Sequence, residues 1–114
     1  MRSEVKLQFN AVYGYQWDGI ARWLRFFEDG TVFSLTAMTD EPKRIYGWMD
    51  PSHQQSGKGT WNVNAEELAI TLHGTAGDLE MNGYMNEDGN LVLTQYSEAD
   101  ESRSEGCEFL LNEI

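Results

Sequence analysis

The chain has 114 residues, 40% of them hydrophobic, 24% charged and 12% aromatic, with eight basic side chains against nineteen acidic ones for a net charge of −11. That length predicts a single domain over residues 1–114, with the composition of a folded chain rather than a disordered one. The acidic balance argues against a phosphate-binding face, so neither nucleic acid nor an anionic membrane is an expected partner.

Cys107 is the lone cysteine, which rules out an intrachain disulfide. No apolar run approaches the length of a membrane span and the first residues lack a signal-peptide pattern, so the expectation is a soluble, cytoplasmic protein.

From Val5 to Trp17 apolar residues fall on the odd positions Val5, Leu7, Phe9, Ala11, Tyr13, Tyr15 and Trp17, with Val12 the exception among the even ones. Period two marks a strand with one buried face, and its length predicts a bend or bulge near Gly14. Asp18-Gly19 turns the chain into Ile20 to Phe27, apolar on both faces apart from Arg22 and Arg25. Such a strand is covered on both sides, or has one side lining a cavity. Glu28-Asp29-Gly30 folds it back onto Thr31 to Ala37, because an Asp-Gly step between runs rich in aromatic and β-branched residues is a strong hairpin signal.

Between Thr39 and Gly57 the pattern changes. Asp40 suits a helix cap, Pro42 suits a first turn, and Ile45, Trp48 and Met49 recur at spacings of three and four. These predict one short helix packed over the sheet, ending around Asp50-Pro51, followed by a polar loop from Ser52 to Gly57. Five more strands follow as a meander: Lys58 to Asn64, Leu68 to His73, Leu79 to Met85, Leu91 to Ser97 and Cys107 to Leu111. Trp61 and Val63 are expected to point inward, Gly83 marks a close approach or bulge, and Asp88-Gly89-Asn90 is a second good turn. Glu98 to Gly106 reads as a charged, mobile loop. Eight short strands with one helical excursion and no βαβ rhythm predict an all-β, eight-stranded antiparallel up-and-down barrel, or a strongly curved half-barrel with the same strand order.

The run Trp23-Leu24-Arg25-Phe26-Phe27-Glu28-Asp29-Gly30-Thr31-Val32-Phe33, with the later Gly57-Lys58-Gly59-Thr60-Trp61, resembles the lipocalin-like or calycin class of small barrels. There a Phe-x-x-Asp-Gly-x-Val hairpin and a Gly-x-Trp strand recur. The wording of these motifs, together with Glu41-Pro42-Lys43, is also similar to the C-terminal β-domain of certain F-box proteins, although no helical segment here corresponds to an F-box. The resemblance implies the barrel fold and a binding role.

The aromatic residues Phe9, Tyr13, Tyr15, Trp17, Trp23, Phe33 and Trp61 are candidates to line a concave pocket for an apolar or aromatic ligand. The competing reading is that they simply fill the barrel. Arg25 and Arg22 are the second candidates, since a guanidinium among rings demands a carboxylate of the chain or an anionic group of a ligand. Trp17 or Trp61 is a candidate stacking partner for one of them. His53, His73 and Cys107 show no metal-ligand spacing, Cys107 reads as a small buried hydrophobe, and no carboxylate pair or phosphate loop stands out.

No catalytic residue, cofactor or metal is therefore expected. The leading expectation is a non-enzymatic barrel that binds a small, largely apolar or aromatic ligand through Tyr13, Tyr15, Trp17, Trp23, Arg25, Phe33 and Trp61. The alternative is a protein-interaction or self-association module, binding a protein partner or forming a homodimer. It would use the helix-bearing rim, where Tyr46, Trp48 and Met49 cannot all point inward from one short helix.

Overall fold

The computed structural model describes residues 4–37, 41–49, 57–73 and 77–114. Its strands are β1 (Ala11–Trp17), β2 (Ile20–Phe26), β3 (Thr31–Ala37), β4 (Gly57–Asn64), β5 (Glu67–His73), β6 (Leu79–Met85), β7 (Leu91–Ser97) and β8 (Ser102–Glu113), with one helix, α1 (Pro42–Trp48), between β3 and β4. Every strand pairs antiparallel with its neighbour in sequence, and β1 also pairs with β8 through Ala11 to Gly14. The ring is a closed barrel, so the half-barrel alternative falls away. Closure gives each strand a paired neighbour on both sides, over at least part of its length.

Turn chemistry sets the register. Asp18 and Gly19 both take positive φ, as a two-residue hairpin loop with the twist of its flanking strands requires. At the other end, Glu28-Asp29-Gly30 and Glu87-Asp88-Gly89 build the same turn twice. Phe27 N–H donates to Thr31 O at 2.9 Å and Asn86 N–H to Asn90 O at 2.9 Å, while Gly30 and Gly89 take φ of +90° and +82°.

Alternation along the strands separates two apolar layers. The lumen holds Tyr13, Leu24, Phe26, Leu68, Ile70, Met81, Leu93 and Phe109, all essentially without exposure. A second layer lies outside the barrel, where Val12, Ala21, Trp23 and Phe33 meet Ile45 and Met49 of the helical segment. Both faces of β2 are thus covered, one by the lumen and one by α1. Trp23 lies flat across Gly14 of the paired strand, and a Cβ at Gly14 would stand 2.5 Å from its ring.

Three expectations are corrected. β1 begins at Ala11, because Val5 to Asn10 runs across the end of the barrel instead of along it: Val5 is buried, Leu7 and Phe9 pack against the lumen cluster, and Gln8 N–H donates to the Tyr13 hydroxyl at 3.0 Å. The odd-residue periodicity there records a segment laid over an apolar opening. Val63 is exposed at the end of β4 rather than inward. The charged stretch expected as a mobile loop up to Gly106 is strand from Ser102, paired with β7 across an irregularity between Leu93 and Gln95. Its charges are tolerated because those residues are exposed. The helix starts on Glu41 with Pro42 in its first turn. The expected cap Asp40, the stop at Asp50-Pro51 and the loop positions 52–56 lie outside the described residues.

Stability should reflect the Gly14–Trp23 contact. Gly14→Ala is expected to cost about 1–3 kcal/mol through overpacking. Gly47→Ala, in open space on the helix, should gain about 0.5–1 kcal/mol from helix propensity. Urea midpoints of the two variants check this, and an undisturbed Gly14→Ala would show that Trp23 is not seated there.

Candidate functional site

The barrel has two unlike ends. At one, the β2–β3, β4–β5 and β6–β7 turns surround the segment 4–10, whose Phe9 ring lies 6.1 Å from that of Trp61. Trp61 is fixed there by its indole N–H, which donates to Phe27 O at 2.9 Å. This end is plugged.

At the other end a cavity of about 510 Å³ opens, lined by Tyr15, Trp17, Arg22, Leu79, Gln95, Ser97, Asp100, Ser102 and Ser104. Its position follows from parity: Tyr15 and Trp17 continue the inward face of β1 started by Tyr13, and Arg22 continues that of β2 started by Phe26 and Leu24. The rings of Tyr15 and Trp17 stack at 5.4 Å and 21°, and the Arg22 guanidinium lies 5.6 Å from the Trp17 ring centre. Tyr15 also leans on Phe109 at 5.4 Å, tying the mouth to the core.

Below the mouth a polar relay crosses the lumen. Arg22 Nη1 donates to Gln95 Oε1, Gln95 Nε2 donates to Cys107 Sγ at 3.3 Å, and the thiol reaches Ser104 O at 3.8 Å. Gln95 is only 8% exposed and is the one buried polar side chain among the described residues. The relay uses both ends of its amide, so its orientation is dictated by its neighbours. Burial pushes the Arg22 pKa down, and the neighbouring Cys107 thiol raises that of Tyr15. Burial is also the main cause of the raised pKa of Tyr13, deeper in the lumen. Arg22 makes no ion pair with any described residue. The mouth carboxylate, Asp100, is held below the usual carboxylate range by hydrogen bonds with Ser102.

The seven residues expected to form one pocket are divided four ways. Tyr15 and Trp17 line the mouth, Tyr13 is buried in the filled middle of the lumen, and Trp61 belongs to the plugged end. Trp23, Phe33 and Arg25 lie on the outer face under α1. The reason is alternation: positions 23 and 25 of β2 share a face opposite to 22, 24 and 26. Arg25 is enclosed between the rings of Tyr46, 3.7 Å away, and Phe27, 4.6 Å away, and its Nη1 donates to Tyr46 O at 2.9 Å and Met49 O at 3.0 Å. It closes the carbonyl end of the helix and staples it to the barrel. The expectation of a guanidinium stacked on a tryptophan is met by the other arginine, Arg22 on Trp17. Gln95, Ser97, Ser102 and Ser104 were missed. Gln95 alone had a signal, as a polar residue in phase with inward Leu91 and Leu93.

Cys107 and His73 do not meet: the thiol is in the relay, whereas His73 pairs with Asp78 at 3.3 Å on the surface. Among the described residues no group of three His, Cys, Asp or Glu side chains gathers as a metal site, and no helix is long and apolar enough to cross a membrane. His53 lies outside the described residues. Comparisons of the chain with protein families, with curated proteins and with solved structures find no match.

Two outcomes follow from these contacts. Arg25→Met should leave the barrel closed but free α1, with faster amide exchange at Ile45 and Met49 and a loss of about 1.5–3 kcal/mol for its charge-assisted bonds; Arg25→Lys should recover only part of this. The raised Tyr13 pKa means that the folded protein holds its proton longer than the unfolded chain does. The stability so contributed is whole below pH 10.0 and is lost as pH climbs from there through the folded value. Denaturation midpoints between pH 8 and 11 should therefore fall more steeply above about 10 in the native chain than in Tyr13→Phe.

Proposed function

We propose that this chain is a non-enzymatic binding barrel that takes a small, flat, apolar or aromatic molecule in its open mouth. What carries the reading is the asymmetry of the lumen. One end is plugged by residues 4–10, whereas the other keeps a cavity of about 510 Å³, within the range of small-ligand sites, against a stacked Tyr15–Trp17 wall. Stacked rings offer a ligand large contact area at small entropic cost, because they are already held in place.

The lining is mixed rather than purely apolar. Leu79 and the two rings face a rim of Ser97, Ser102 and Ser104 with Arg22 and Gln95 at its base, which suits a ligand with one apolar face and one polar edge. The up-and-down order of the strands and the short helix agree with the resemblance to lipocalin-like barrels, and the proposal keeps that kinship as its architectural context.

The interaction-module alternative draws less support. Met49 is buried, Tyr46 is engaged by Arg25, and only Trp48, at 39% exposure, faces outward from the helix. A single exposed ring is ordinary on a protein surface.

The four indole N–H resonances separate the cases. Titrating the ¹⁵N-labelled protein with a neutral aromatic probe such as 1-aminoanthracene should move the Trp17 signal and leave Trp23, Trp48 and Trp61 in place. Shifts centred on Trp48, or no saturable shift with any probe, would remove the mouth as a ligand site.

A further inference from the structure

The mouth holds one cation, and its neighbours do not neutralise it. Arg22 points into the lumen, and its sole hydrogen bond among the described residues is to the neutral carbonyl oxygen of Gln95. Of its five N–H donors this uses one. The other strand arginine, Arg25, satisfies two backbone carbonyls and is enclosed by rings, and Arg44 and Arg103 pair with Glu41 and Glu105. Among the described arginines, Arg22 is therefore the one with neither a carboxylate partner nor a backbone carbonyl to hold it. The nearest lining carboxylate, Asp100, is turned to the Ser102 amide in its own turn.

We infer that the ligand of the mouth is a short aromatic carboxylate, its ring lying along the Tyr15–Trp17 wall and its carboxylate on the free edge of the Arg22 guanidinium. This rests on the reading of the mouth as a ligand site and adds the chemical class. A planar carboxylate matches the guanidinium fork with two parallel hydrogen bonds, the strong form of this pairing. One cation balances one negative charge, so a dianionic phosphate group would remain half uncompensated in a strongly acidic protein.

The floor limits length. Behind Gln95 the lumen is filled by Cys107, Phe109, Leu93, Leu24 and Phe26, each 2% exposed or less, and the far end is plugged. An extended acyl chain has nowhere to descend. The serine hydroxyls of the rim are placed to accept or donate at polar substituents of the ring, and Gln95 is braced by Cys107 so that Arg22 is held in position when the ligand leaves.

The test compares 2-naphthoate with its uncharged counterpart 2-naphthamide and with palmitate, by calorimetry and by the Trp17 indole resonance. Naphthoate should bind at least tenfold more tightly than the amide. Arg22→Gln should lower naphthoate affinity at least tenfold and bring the two ligands within about twofold of each other, and palmitate should bind no more tightly than naphthoate. Equal affinity for naphthoate and naphthamide overturns the carboxylate inference and leaves the binding barrel standing. Palmitate binding more tightly than naphthoate overturns the short-ligand inference in the same way. Failure of all three, together with the neutral probe, overturns the mouth as a site altogether. Should Arg22→Gln not fold, the ligand comparison on the native chain decides alone.

Discussion

The pairing of β1 with β8 is the contact on which the remaining structure depends, because it converts a meander into a ring and so gives every strand an inside and an outside. Once the ring is closed, a residue's role follows from its parity. Tyr13, Tyr15 and Trp17 have no choice but to share the lumen, and Gly14, between them, has no choice but to face out, where it makes room for Trp23. A slip of one residue in this pairing would send the whole inward set of β1 to solvent.

A closed ring still leaves two open ends, and the chain treats them differently. The segment 4–10 lies over the end where the tight turns are, using Val5, Leu7 and Phe9 as a stopper, and Trp61 meets it from the inside. The opposite end carries the two-residue β1–β2 turn and the connection that contains α1, and it keeps its polar lining. The relay of Arg22, Gln95 and Cys107 marks the level at which filled core gives way to mouth. Polar groups this deep are stable only when mutually satisfied, and Gln95 manages it by offering its carbonyl to one neighbour and its amide to another.

Much of the fold was legible in the sequence because β structure writes itself in period two and its turns in Asp-Gly. The eight strands and their order were readable from such signals, and the helix from Pro42 and the three-and-four spacing of Ile45, Trp48 and Met49. The plug was misread as strand because a segment crossing an apolar hole also alternates. The distribution of rings was misread for a deeper reason. β2 is apolar on both faces, and nothing local in Trp23-Leu24-Arg25-Phe26 says which face looks inward. That is settled by the partner strands and by α1, whose Ile45 and Met49 cover one side. The serines of the mouth left no trace at all, since a serine on an exposed strand and one on a cavity rim are the same letter in the same pattern.

The two arginines of β2 show how the same side chain acquires opposite uses. They are three residues apart, an odd number, so a strand must put them on opposite faces. Outside, Arg25 finds two backbone carbonyls for its Nη1 at the end of a helix and two rings to lie between, so its role is architectural even though its buried Nε finds no partner. Inside, Arg22 finds one amide oxygen and a cavity. The overall charge of −11 repels anions from a distance, but at physiological ionic strength charges beyond about 8 Å are largely screened, whereas a partly buried cation acts on whatever enters beside it nearly unscreened. At the edge of the Arg22 guanidinium the near field therefore opposes the far field of the surface, and a ligand group seated beside Arg22 experiences the nearer one.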